Sequence, residues 1–241
     1  MAARSLLICM AMQGEADPII RALDMRSVPW AFDPHLPFRA FSGRRNGANV
    51  TVTVSGIDPR HGVDNIGTQP AALQAYLSIQ AFKPDMVISA GTCGGLEGRG
   101  FRIGEVVASS GEFLYHDRIV PIPGFEAYGR GHYPAADTEH LARDLGLRTG
   151  AVASGNALET SARDLEFFDR HDVAAKEMEA ASVAWVCWML DLPLYALKSI
   201  TDFIDHPAST AEQFDRNFSA ACANLCETVV RAVNWLTHAP A

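Results

Sequence analysis

A chain of 241 residues, 48% hydrophobic and 20% charged, is long enough to bury the core of one large α/β domain and has an ordinary globular composition. Its net charge of −8, without any basic run, argues against a nucleic-acid partner or an anionic membrane surface. Cys9, Cys93, Cys187, Cys222 and Cys226 lack zinc-ligand spacing. They read as reduced thiols in a cytoplasmic protein that carries no metal and no cofactor.

In chain order, Ser5 to Met12 is a continuous apolar run, the pattern of a strand buried on both faces. It is too short to span a membrane and lacks a signal-peptide cleavage site. Gln13-Gly14-Glu15 breaks the run, and Ala16 to Leu23 can form a helix with Pro18 near its first turn. Residues 27–49 look irregular apart from a strand near Phe38 to Phe41. Val50 to Ser55 alternates as a strand does and stops at Gly56.

After the polar loop Ile57 to Gly67, the spacing predicts a helix over Pro70 to Phe82, then a buried strand over Asp85 to Ala90. Gly91 to Gly100 holds five glycines and is expected to be a loop. A strand follows over Ile103 to Ala108. Phe113 to Tyr133 reads as a long ordered loop with glycines and prolines between aromatic residues. Thr138 to Leu145 (helix), Thr149 to Ser154 (strand) and Ser161 to Arg170 (helix, capped near Ser161) come next. Lys176-Glu177-Met178-Glu179 then opens the apolar helix Ala180 to Leu190, where the helix dipole favours carboxylates. The strand Leu194 to Ile200, the loop Asp202 to Thr210 and a long helix over Ala211 to Leu236 close the chain. Strands alternating with helices, without repeat or linker, make residues 1–241 one α/β domain with a largely parallel sheet.

In open α/β sheets ligands bind at the carboxyl ends of strands. Glu15, Gly91 to Gly95, Gly155 to Leu158 and Asp202 all follow expected strands. Gly-Thr-Cys-Gly-Gly matches neither the dinucleotide nor the phosphate-loop spacing. Carboxylates without a metal motif or a nucleophile–base pair point to acid/base chemistry: one acid protonates a leaving group, another takes a proton from water.

Several segments together resemble the purine nucleoside phosphorylase superfamily, and within it the 5′-methylthioadenosine/S-adenosylhomocysteine nucleosidases of the plant type. They are Ala11 to Ala16, Lys83-Pro84-Asp85 through Ser89 to Gly95, His116-Asp117-Arg118 with Pro121 to Pro123, Lys176 to Glu179, and Lys198 to Asp202. The resemblance implies a three-layer α/β/α fold with a central mixed sheet. It also implies hydrolysis of the N-glycosidic bond of a nucleoside, releasing adenine and a thioribose. By position, Asp202 matches the acid that protonates adenine N7, and Glu15 the acid that activates water. Glu179 matches the residue holding the ribose hydroxyls, Met178 packs on the ribose, and Thr92 lies near sugar and water. Lys176 and Glu177, with Asn156, Ala157 and Leu158, would line the adenine, and Met12 and Ile57 the alkylthio group. Leu158 stands where many bacterial relatives have an aromatic residue, and Asn156 where Asp is common. Val120 and Pro123 lie in the loop that reaches a neighbouring subunit in relatives, which implies a homodimer.

A phosphorylase would need an anion clamp, usually arginines, where this chain has Glu15; Arg60 is the residue that could supply one. A non-catalytic nucleoside-binding or storage protein would be expected to lose one or more acids, and all three are present. Methylthioadenosine is the favoured substrate, ahead of S-adenosylhomocysteine, 5′-deoxyadenosine and aminofutalosine-type nucleosides.

Overall fold

The computed structural model describes residues 3–29 and 33–238; residues 30–32, within the stretch read as irregular, lie outside them. Its centre is β1 (Ser5–Met10), where the apolar run does what a doubly buried strand must. Leu6, Ile8 and Met10 enter one core cluster, while Leu7 and Cys9 enter another on the opposite face. The first core is completed by α1 (Gln13–Ala22) and α7 (Thr210–Thr237), the second by α2 (Thr68–Phe82) and α6 (Ala180–Met189). Helices thus cover both faces of the sheet, giving three layers.

The sheet is mixed and has ten strands among the described residues. β1 lies parallel between β4 (Ala48–Val54) and β5 (Met86–Gly95). β3 (Arg39–Arg45) and β2 (Arg26–Val28) extend the β4 side as antiparallel strands. On the other side β10 (Leu194–Phe203) runs parallel to β5, and β6 (Val106–Tyr115) antiparallel to β10. β8 (Arg148–Ser154) and β9 (Val173–Glu177) follow in parallel, and β9 returns to β5 at the pair Lys176 and Gly94. These five strands therefore close into a ring whose inner end gathers β5, β9 and β10. The short β7 (Tyr133–Pro134) pairs with β6. Three shorter helices are α3 (Phe125–Arg130), α4 (Glu139–Leu145) and α5 (Ala162–Arg170).

Five expectations need correction. Residues 113–133 are not one loop: β6 runs on to Tyr115 and α3 takes up Phe125–Arg130. Residues 91–95 are not a loop but the end of β5, because the glycines admit close neighbours: a Cβ at Gly94 would lie 2.8 Å from Asp202 Oδ2 and collide with Ile204. Lys176 and Glu177 belong to β9, not to the first turn of α6, whose N-cap is Glu179. Asp202 lies within β10, past a bulge between Ile200 and Asp202, so it is held by a ladder rather than a loop. Residues 39–54 form a hairpin turned by Asn46-Gly47 at φ 49° and 83°, the positive pair such a turn demands.

Candidate active site

The strand ends and the first turns of two helices enclose a cavity of about 410 Å³. Glu15, Glu179 and Asp202, from three separate elements, all line it. α1 begins directly after β1, so its first turn delivers Glu15 to the carboxyl end of the sheet, buried at 3% exposure. Thr92 donates to its Oε1 twice, from N and from Oγ1, both at 2.7 Å. Burial pushes the Glu15 carboxyl up, against these two hydrogen bonds and the charge of Lys198.

Asp202 is 2% exposed and accepts from Thr201 Oγ1 at 2.7 Å. Burial is again the main influence and raises its pKa, while Lys176 works in the opposite sense. Glu179 stands at the N-cap position of α6 without a side-chain cap bond; its carboxyl lines the cavity and accepts from Gly67 N at 2.7 Å. Burial and the neighbouring Glu177 push it up to about 7. Three carboxyls, all pushed up by burial and lining one cleft, can both give and take protons there.

Beneath the acids lies a buried ion pair. Lys198 Nζ stands 2.8 Å from Glu177 Oε2, each side chain 2% exposed. Burial alone would lower the lysine, but Glu177, Glu179 and Glu15 outweigh it and hold Lys198 above its usual range. Burial would likewise raise Glu177, and Lys198 overcomes that, keeping the carboxylate ionised. Glu177 also accepts from Ser154 Oγ and from the Ala180 and Glu179 N–H groups at 2.9 and 3.1 Å, tying off the start of α6.

Most residues expected at the site are there: Met12, Thr92, Asn156, Leu158, Lys176, Glu177, Met178 and Glu179 line the cavity with Glu15 and Asp202. Ile57 and Ala157 do not. Ile57 is 45% exposed on a bridge to Asp64, and the apolar wall is supplied instead by Ile66 and Phe214. The Ala157 carbonyl accepts from Nζ of the lining residue Lys176, which also donates to the Leu158 carbonyl. Burial lowers the Lys176 pKa, an effect that Asp202 opposes. Asn156 Oδ1 accepts from Thr68 N and Oγ1 at 2.9 and 3.0 Å, linking the base-side loop to α2. Several lining residues had not been expected from the sequence, among them Ile66, Gln74, Lys198 and Phe214. Lys198 had a signal, a lone lysine inside an apolar strand; Phe214 had only its spacing from Phe218 on a long helix.

Among the described residues no group of His, Cys, Asp and Glu is arranged to hold a metal ion, and no helix is long and apolar enough to cross a membrane. All five cysteines are free.

A layered α/β fold whose sheet brings three acids into one cavity is the architecture of a small-molecule enzyme, and comparison with known proteins gives the family. Residues 5–234 match the family model of the phosphorylase superfamily. The 5′-methylthioadenosine nucleosidase of Arabidopsis thaliana is 36% identical over 96% of this chain and 87% of its own. The 5′-methylthioadenosine/S-adenosylhomocysteine nucleosidase of the same plant is 32% identical over 97% and 92%. The apo structure of Arabidopsis thaliana 5′-methylthioadenosine nucleosidase superposes with a TM-score of 0.96 at 34% identity, covering 100% of this chain and 98% of that one. The chain belongs to the phosphorylase superfamily and, within it, to the methylthioadenosine nucleosidases, which are N-glycosidic hydrolases.

Proposed function

We propose that this protein hydrolyses the N-glycosidic bond of 5′-methylthioadenosine, giving adenine and the 5-methylthio-substituted ribose. S-adenosylhomocysteine and 5′-deoxyadenosine are the further substrates to be ranked. The observation that carries the reading is that Glu15, Glu179 and Asp202 meet in one cavity whose described lining contains no arginine. Adenine is a poor anionic leaving group, so Asp202, whose proton affinity burial raises, gives a proton to N7 as the bond breaks. Glu15 takes a proton from water; its raised pKa makes it a stronger base, and the two Thr92 donors favour its ionised form. Glu179 accepts from the ribose hydroxyls, and its charge favours the cationic sugar of the transition state. Met178 and Phe214 supply apolar surface around the sugar and its substituent.

The phosphorylase reading loses its clamp. Arg60 lies outside the cavity and is paired with Asp58 at 2.9 Å on the surface. The test is free-base release in phosphate-free buffer from methylthioadenosine, S-adenosylhomocysteine, 5′-deoxyadenosine and inosine. We expect adenine from the first at full rate; an absolute requirement for phosphate would overturn hydrolysis, and binding without base release would favour a nucleoside-binding protein.

We further propose a cytoplasmic homodimer. Trp185, Trp188 and Met189 of α6 and Leu73 and Tyr76 of α2 are exposed on two helices that pack together. Trp188 lies 6.0 Å from the Tyr133 ring, which joins this face to the 113–133 segment with its exposed Ile119, Ile122 and Phe125. An exposed apolar surface of that extent fits a second copy of the chain.

A further inference from the structure

A second cavity, of about 350 Å³, lies away from the three acids, between the segment after β6, α3 and α5. On α5, Arg163, Glu166, Phe167 and Arg170 recur at helical spacing and all line it. Arg118, Glu126 and Arg130 face them from the other wall. Four guanidiniums against two carboxylates leave the cavity net positive in a chain of net charge −8.

Among the described residues none of these four arginines forms an ion pair with a carboxylate. Arg99, which does not line the cavity, is the arginine that pairs with Asp169 of α5 and with Asp172. Arg118 instead lies over the rings of Tyr115 and Tyr128, at 4.9 and 4.8 Å from their centroids, which fixes its plane. Arg130 Nε is buried with no hydrogen-bond partner. A buried donor without an acceptor is costly, and converging guanidiniums offer the planar forks that oxyanions take in pairs of hydrogen bonds.

The cavity is tied to the catalytic one. His116, on its floor, is bonded through Nδ1 to Asp164 Oδ1 of α5 at 3.0 Å, and its N–H donates to Ser154 O at 3.1 Å. Its ring is packed so closely on Gly155 that any side chain there would collide with Nε2. Asp117 Oδ2 accepts from Asn156 N at 2.7 Å. The segment leaving the floor of this cavity, residues 155–158, is the one that brings Asn156 and Leu158 to the nucleoside.

We propose that the arginine-lined cavity binds a small phosphate-bearing anion, and that its occupancy alters nucleoside binding through residues 155–158. The site is separate from the chemistry: it modulates the reaction without supplying the nucleophile. The probes are inorganic phosphate and pyrophosphate, titrated at ionic strength matched with sodium chloride into the wild type and the Arg163→Gln/Arg170→Gln variant. Both arginines are exposed, so the variant keeps its core. A saturable rise in Tm is expected for the wild type and not for the variant, with the KM for methylthioadenosine shifting about fivefold only in the wild type. The Tm arm does not depend on the activity proposed above, so it can fail or succeed by itself. An absent rise, or an equal one in the variant, overturns the proposal. Should the variant fail to fold, wild-type crystals soaked in pyrophosphate decide: density against Arg130 Nε supports the site, and density only among the three acids refutes it.

Discussion

At the residue scale, burial pushes Glu15 and Asp202 in the same direction, and their partners separate them. Glu15 receives an N–H and an O–H on one oxygen, an environment that favours the anion; Asp202 receives a single hydroxyl. That contrast suits a base and an acid. Asp202→Asn should therefore lower kcat by about 100-fold or more while leaving KM within a few-fold, because the proton is needed only in the transition state. Steady-state kinetics on methylthioadenosine check this, and a wild-type kcat would remove Asp202 from the reaction. Glu179 yields a stability test. Its folded pKa, about 7, exceeds the ordinary 4.5, so the folded state binds its proton more tightly than the unfolded one. Its contribution is complete below pH 4.5 and lost as pH rises through about 7. The Tm difference between wild type and Glu179→Gln should thus shift against the wild type from about pH 5 to 8, by differential scanning calorimetry. The three acids stood out in the sequence because each stands at one end of an apolar segment; their separate roles came from the family resemblance. Ile57 was placed by the resemblance alone, and a loop carries no period that could have corrected the choice to Ile66.

At the scale of elements, the buried pair Lys198 and Glu177 joins β10 to the β9–α6 corner. Lys198→Met leaves a buried carboxylate without its cation and should cost about 3–5 kcal/mol, measured by urea unfolding. Adding Glu177→Leu should recover part of that loss; a neutral single substitution would show the pair to be dispensable. Strands with a strong period, such as β1, were readable. β9 was not, because five residues between two helices leave no period to detect and Glu177-Met178-Glu179 also suits a helix start. The glycines after Ala90 suggested a loop, since composition cannot reveal that Asp202 and Ile204 occupy the space their side chains would fill. The hairpin at Asn46-Gly47 carried its signal in the turn, but arginine and serine along β3 hid the alternation.

At the scale of the whole molecule, alternating strands and helices implied a layered α/β fold, but the closing of β5, β10, β6, β8 and β9 into a ring depends on pairings between distant segments. Local pattern does not encode such register, and the family resemblance implied only three layers around a mixed sheet. The exposed tryptophan face makes its own claim. Light scattering should give twice the 26.1 kDa chain mass, and Trp188→Glu should shift it toward the monomer. A monomeric wild type would contradict the dimer and require another role for that face. The central claim, that water rather than phosphate takes adenine's place, is read most directly from the sugar. Methylthioadenosine turned over in ¹⁸O-labelled water, with phosphate present, should yield sugar carrying the label at C1. A sugar 1-phosphate without that label would contradict it.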